Sequence, residues 1–394
     1  MSTDSANIAI ATLAQLSRLD ASDPKSHPEI IQKCQSIIDT LQNPQVIITG
    51  TLAMANAYPC LVALSDMGVF EKLALGPMTA EQVAQQCNAD FWLVVRLMRV
   101  ATAWGVVLET GPQSYAATVA SNGFATPSLA AGLRHGQLSS KNVRYLPRYL
   151  KETQYRNITS PDDGLFQYTH KTKLRSFQWM QQKDHLRRNF DIFMTTPRTT
   201  EGAWTSHFKA KDRIFDGVEI DPTVPLLVDI GGGMGQDLHL VKKDLLPYAV
   251  SKGQLIVQDQ PSAINNVPAD MYDADFEYMK HDFFTAQPVN GARIYLFKTV
   301  LHDWPDEKAV RILRRTAAAM KPGYSKLWIQ DGVIPDTGAS KVMVWQDITM
   351  MAAYGGLERT RGQWAELLTQ AGLKIVDVQS LADGVGFVEA VLDV

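Results

Sequence analysis

A chain of 394 residues, 45% hydrophobic and 20% charged, has the composition of a globular protein with room for two domains. Its formal net charge of −3 gives no electrostatic ground for a polyanionic partner, so nucleic acid is a poor ligand class. There is no basic segment leading into an apolar run, and no stretch reaches the roughly 18 uninterrupted apolar residues of a membrane span, so a cytoplasmic protein off the membrane is expected.

Residues 1–25 read as a short helix and a lead-in. Ser26 with Glu29 has the spacing of a capping box, and Ile30, Ile31, Cys34, Ile37, Ile38 and Leu41 then form one stripe at helical period. Cys34, Cys60 and Cys87 lack metal-ligand spacing and suit free thiols in a reducing compartment. A helix is expected over 58–74, a second capping box at Thr79 and Gln82, helices over 79–87 and 91–104, and a hairpin from 105–109 and 114–116. That order is the order of a winged helix. Its acids Glu71, Glu81, Asp90 and Glu109 outnumber Lys72, Arg96 and Arg99, which argues against a major-groove helix. Residues 126–220 read as mostly helical, punctuated at Ser160–Gly164. Their aromatics, among them Phe177 and Trp179, suit a core. With His135 they also suit the wall of a flat apolar substrate's pocket.

From residue 224 onward, short β-branched runs alternate with helical segments, the pattern of βαβ units on a parallel sheet. Strands are expected at 226–230, 254–258, 276–279, 293–298 and 325–330, with an antiparallel edge hairpin from 374–380 and 386–392 turning at Ala382-Asp383-Gly384. The first strand runs into Asp229-Ile230-Gly231-Gly232-Gly233-Met234-Gly235-Gln236. Gly231, Gly233 and Gly235 let the backbone bend and approach a ligand closely. A dinucleotide fingerprint would need a small residue where Gln236 stands, and no Gly-Lys-Ser/Thr run follows for a phosphate loop. Asp259, followed by Gln260, ends the second strand, where a carboxylate can take both hydroxyls of a ribose. Asp282 beside Phe283 is positioned to meet an adenine amino group. Together these describe a nucleoside site without phosphate chemistry.

The strand at 293–298 delivers Lys298 and then His302-Asp303-Trp304 to the ligand edge of the sheet. Histidine titrates near neutrality, which makes His302 the candidate base, with Asp303 holding the loop or the ring and Trp304 stacking on adenine. Further on, Asp347, Met350 and Met351 share a helix face, where they line either a substrate or a core. No carboxylate cluster with a metal ligand set stands out, so no metal is expected.

Three ordered stretches carry a resemblance: 228–235, the run Lys298-Thr299-Val300-Leu301-His302-Asp303-Trp304-Pro305-Asp306-Glu307, and Gly355-Gly356-Leu357-Glu358-Arg359-Thr360. Over roughly its whole length the chain resembles the S-adenosylmethionine-dependent O-methyltransferases of the plant caffeate and flavonoid type and their fungal secondary-metabolism relatives. The resemblance implies an α/β fold: a Rossmann-like class I methyltransferase domain at 221–394, an N-terminal, mostly α-helical winged-helix dimerisation domain at 1–125, and a helical connector at 126–220 lining the substrate pocket. It implies S-adenosylmethionine as cofactor, a homodimer, and a hydroxyl of an aromatic or polyketide-type small molecule as acceptor. Glu358 matches one of the two acids that flank the base histidine in the family. The other is usually Glu and is Asp331 here, a shorter arm. Some fungal relatives instead catalyse pericyclic ring formation or dehydration with the cofactor unconsumed; the unusual Asp331 and the pocket candidates His135 and Lys341 keep this alternative in view.

Overall fold

The computed structural model describes residues 3–23, 26–196, 203–216, 223–245, 253–381 and 384–393. The chain falls into two compact units, 1–133 and 134–394.

The first unit opens with helices Thr3–Leu16, His27–Leu41 and Pro44–Asp66. The capping box expected at Ser26 does not form. Its backbone is already helical (φ −79°, ψ −17°), whereas a capping serine presents its oxygen from extended backbone. The helix expected over 58–74 starts much earlier, because Asn43 accepts a bond from the Val46 N–H and Pro44 occupies the first turn, where its missing donor costs nothing. It ends at Asp66, and Val69–Leu73 follows as a separate short helix. Pro44–Asp66 is long and apolar enough, by length and composition, to cross a membrane. It leaves Leu52 and Ile48 exposed.

Next come strand β1 (Met78–Thr79), helices Ala80–Cys87 and Phe91–Ala103, and the hairpin of β2 (Val107–Gly111) and β3 (Ser114–Ala117). The Thr79–Gln82 capping box is complete, and Asp90 caps the second helix through the Leu93 N–H. Strand β3 pairs with both β1 and β2, and Leu64, Phe70, Val94, Met98 and Tyr115 fill the core beneath.

In the second unit, helices Leu165–His170, Ser176–Gln181, Asp184–Met194, Trp204–His207 and Ala210–Phe215 precede the sheet. Strands β4 (Leu227–Ile230), β5 (Leu255–Asp259), β6 (Phe276–Lys280), β7 (Ile294–Lys298) and β8 (Lys326–Gln330) are parallel, in the order β8-β7-β4-β5-β6. A short pair joins β9 (Val333–Ile334) to β10 (Arg359–Thr360). The strands β11 (Leu373–Ser380) and β12 (Gly386–Leu392) form the expected antiparallel edge, β12 lying against β8. Ala382 and Asp383 of the expected turn lie outside the described residues.

Both faces of the sheet are covered, so its inner strands are largely apolar and alternate residues feed two cores. Val228, Ile230, Tyr295, Phe297 and Ile329 face one, with Trp364; Leu227, Val257, Leu296 and Trp328 face the other, with Phe387. Asp229 is a fully buried exception on the first strand. The chain winds outward from β4 through β5 to β6, then returns to place β7 on the other side of β4. That reversal opens a crevice at the carboxyl ends of the strands.

Candidate active site

The crevice holds a cavity of 210 Å³ lined by the glycine turn after β4, Asp259 and Gln260 after β5, Phe283, and Lys298, Asp303 and Trp304 after β7. Gly231, Gly233 and Gly235 all have positive φ, and a Cβ on Gly231 would stand 2.7 Å from Val300, so the turn is glycine by necessity. Asp259 Oδ2 accepts the Gly233 N–H at 2.9 Å, tying the tip of β5 to the turn. Lys298 Nζ pairs with Asp237 Oδ2 at 3.0 Å, and Trp204 Nε1 donates to Oδ1 of the same carboxylate at 2.9 Å. Burial, and then Asp237, push Asp229 well above the usual carboxylate range, against the pull of Lys298. Burial likewise raises Asp259. Asp229 Oδ2 and Gln236 Oε1 are buried without a hydrogen-bond partner among the described residues, on two side chains that line the cavity. Orphaned acceptors, a carboxylate at a strand tip and a turn whose glycines bring bare backbone to the cavity are what a hydroxyl-rich, cationic nucleoside needs. The residues fit such a ligand.

Phe283 packs edge-on against Trp304, their rings 5.9 Å apart, on the cavity wall. Asp282 is exposed and off the wall; its Oδ1 takes the Phe284 N–H and closes a turn. The wall opposite the glycine turn comes from helices Ser176–Gln181 and Asp184–Met194, through Phe177, Arg187, Phe190 and Asp191. Phe177 stacks on Tyr354 at 4.9 Å and meets Phe190 edge-on. His135 packs behind that wall, 5.3 Å from the Phe190 ring. Trp179 turns away, packing on Phe166 and His170 with Lys183 over its ring. Met351 joins a small core with Ile158 and Leu165. The Met350 and Met351 carbonyls accept the last N–H groups at the helix end, from Gly356 and Gly355.

His302 sits in the short helical turn Leu301–Asp303 and is 5% exposed. Its Nδ1 lies 2.6 Å from Glu358 Oε1. A carboxylate only accepts, so the ring donates from Nδ1, leaving Nε2, 3.8 Å from Asp303 Oδ1, as the second titrating position. Asp331 does not bond the ring. Its Oδ2 accepts the backbone N–H groups of Leu301 and His302 at 3.1 and 3.2 Å, and Oδ1 stays 4.0 Å from Nδ1. Burial alone would lower the histidine, but Glu358, Asp331 and Asp303 outweigh it and the ring is pushed up to about 10. Burial works against the Glu358 carboxylate too, yet His302 and two hydrogen bonds hold it below its usual value. Burial raises Asp331. Neither His302 nor Glu358 lines the larger cavity; Glu358, Asp331 and Gln346 line a neighbouring one of 40 Å³, and Thr299 borders both.

Helix Lys341–Tyr354, capped by Ser340, carries Asp347, whose Oδ1 accepts the Glu358 N–H at 2.9 Å. Asp347 thus supports the acid, and is not on the wall of either cavity. Three contributors gave no sign in the sequence. Gln346 donates to Glu358 Oε1 at 2.8 Å. Thr299 carries a β-branched side chain at φ +52°, a conformation such residues rarely take. Arg187 pairs with Asp191 at 3.1 Å on the cavity wall.

Residues 176–374 match the O-methyltransferase domain, and residues 51–127 match the O-methyltransferase dimerisation domain. The chain is 36% identical over 326 residues to the demethylsterigmatocystin 6-O-methyltransferase of Aspergillus flavus, covering 81% of each. It is similar to two solved structures, LepI in complex with SAM and a pericyclic reaction enzyme. Each has a TM-score of 0.87 and 28% identity and covers 98% of this chain and 99% of the other. With a domain match over half its length and relatives spanning most of it, the chain belongs to the O-methyltransferase family, with a class I methyltransferase fold behind a mostly helical dimerisation domain.

Proposed function

We propose that His302 is the proton acceptor of this S-adenosylmethionine-dependent O-methyltransferase, an enzyme acting on a hydroxyl of a fungal-type secondary metabolite, aromatic or polyketide in class. The observation that carries the assignment is the 2.6 Å bond from His302 Nδ1 to Glu358, which leaves Nε2 to take a proton. When bound, S-adenosylmethionine supplies an activated methyl group. Asp259 would hold its ribose, Phe283 and Trp304 its base, and the turn at Gly231, Gly233 and Gly235 its chain, with Asp229, Gln260 and Lys298 around them. Asp282 enters only as the residue that sets the Phe283 turn. The protein aligns the acceptor oxygen and removes its proton; Glu358 stabilises the imidazolium that results, and Asp331 fixes the turn that carries the ring. Phe177 and Phe190 supply a flat apolar wall, and His135 supports it.

The working units of this reading are a dimerisation region at 1–125, a connector at 126–220 and the cofactor domain at 221–394. The dimerisation-domain match supports a homodimer. Free Cys34, Cys60 and Cys87 support a reducing compartment, the cytoplasm.

One observation favours a second reading. A ring pushed up to about 10 is an imidazolium at neutral pH, and a fixed cation can stabilise the developing charge of a pericyclic ring closure or dehydration with the cofactor unconsumed. The pericyclic reaction enzyme among the similar structures agrees with it.

The deciding experiment incubates purified protein with S-adenosylmethionine and an extract of the source organism, and compares wild type with His302→Ala by mass spectrometry. A product about 14 mass units heavier, lost in the variant, supports base-assisted methyl transfer. An isomer or a dehydrated product, with the cofactor left intact, overturns it in favour of the second reading.

A further inference from the structure

We propose that Gln346 is a positioning residue of the His302–Glu358 dyad: by occupying the oxygen that accepts from the ring, it loosens the carboxylate's hold on the ring proton. This deepens the proposed role of His302 and rests on it.

The geometry is a shared acceptor. Glu358 Oε1 receives the His302 Nδ1–H at 2.6 Å and the Gln346 amide at 2.8 Å, while the two donor nitrogens stand 3.4 Å apart. The amide orientation follows from its partner, since the opposite flip would set a carbonyl oxygen against a carboxylate. With its N–H₂ turned inward, Gln346 has nothing to accept a proton from Nδ1, so Nδ1 can donate only to Glu358. It is Glu358, which can only accept, that keeps the hydrogen on Nδ1 and the lone pair of the neutral ring on Nε2.

The consequence of the shared acceptor is electrostatic. Two donors on one oxygen divide its negative charge, and the positive end of the amide dipole faces the imidazolium. Both effects make the ring surrender its proton more readily than the bare dyad would. Gln346 therefore opposes the other groups around the ring. Asp303 on the same turn, Asp331 after β8 and Glu358 before β10 all favour the cation. Arg359, whose guanidinium holds the carbonyls of Leu301 and Trp304, lowers Asp331 and Glu358 and so helps to keep both ionised. Asp347, next to Gln346 on the helix, is engaged by the Glu358 N–H. Two consecutive helix residues thus clasp Glu358, one by its side chain and one by its backbone.

The test uses the full-length protein and two variants of similar reach and opposite electrostatics, Gln346→Met and Gln346→Lys. The His302 ring is titrated by nitrogen NMR with specifically labelled histidine. Losing the donor in Gln346→Met should move the ring's titration up by about one unit, which lowers its neutral fraction, and kcat in the base-limited range, about tenfold. Gln346→Lys places a cation on the same oxygen and should move it down. A residue that merely fills space would not shift the ring in opposite directions. Titration unchanged in both variants, or moved the same way, overturns the proposal. Because the readout is protonation and not turnover, it stands or falls apart from the identity of the reaction.

Discussion

His302 Nδ1 and Glu358 Oε1 are 2.6 Å apart in a site that leaves each side chain only a few per cent exposed. An ion pair so enclosed holds the ring as a cation well past neutrality, up to about 10. A base must be neutral to act, so kcat for methyl transfer should climb about tenfold per pH unit across neutral and mildly alkaline pH, levelling only near that value. The profile is measured at saturating S-adenosylmethionine and acceptor. A pericyclic or dehydration reaction that uses the imidazolium would give the opposite limb, flat through neutrality and falling as the ring loses its proton.

Asp331 is expected to matter through the backbone. Its carboxylate takes two buried N–H groups, of Leu301 and His302, and does not touch the imidazole. Asp331→Asn keeps one acceptor in place and should leave a folded, partly active enzyme. Asp331→Ala orphans both donors and should cost roughly 2–6 kcal/mol of stability, at about 1–3 kcal/mol for each buried unsatisfied group. Thermal or urea unfolding of the two variants checks the order.

The fold was legible because a covered parallel sheet writes itself as apolar runs: β4 to β8 all lie within about one residue of their expected bounds. The glycine turn was equally open to reading, since the backbone bend it makes admits little else. Ser26 misled because residue type sets capping potential, whereas the backbone angle decides whether a cap forms. The connector aromatics show the same limit. Phe177 reaches the cavity and Trp179, two positions on, packs with His170, because the face of a short helix is chosen by its neighbours. Gln346 is invisible for a different reason: its partner Glu358 is 12 residues away across a turn whose shape is a tertiary property. Its value lies in an oxygen it shares.

Lys298 and Asp237 are buried to within about a tenth of their surface and bonded to each other, with Trp204 on the second carboxylate oxygen. Removing one partner leaves the other charge uncompensated. Lys298→Met should therefore destabilise the protein by about 3–5 kcal/mol, and Asp229, already raised, should rise further. Adding Asp237→Asn removes the orphaned charge and should restore part of that loss. A double-mutant cycle in unfolding free energy measures the coupling, and additive losses would mean the pair is not the source of the effect.

The same dyad that sets the rate profile should leave a mark on stability. The folded-state value of His302, about 10, lies above the ordinary histidine value of 6.5, so the folded protein binds this proton more tightly than the unfolded chain. The stabilisation is therefore fully present below about pH 6.5 and is lost as pH rises through the folded value. Asp331, also raised, works in the same direction at lower pH: its folded form favours the proton, so its contribution weakens once pH passes the ordinary carboxylate value of 3.8. His302→Gln removes the histidine contribution and leaves Glu358 buried without its cation, which should cost on the order of 3 kcal/mol at neutral pH. The gap in Tm between wild type and His302→Gln that the ring contributes should be fully present up to about pH 6.5 and shrink toward pH 10; Asp331, which His302 lowers, rises further in the variant and adds to the gap at neutral pH. A gap that widens with rising pH would mean that the ring is neutral in the folded enzyme, and the base would then be ready at physiological pH without any help from Gln346.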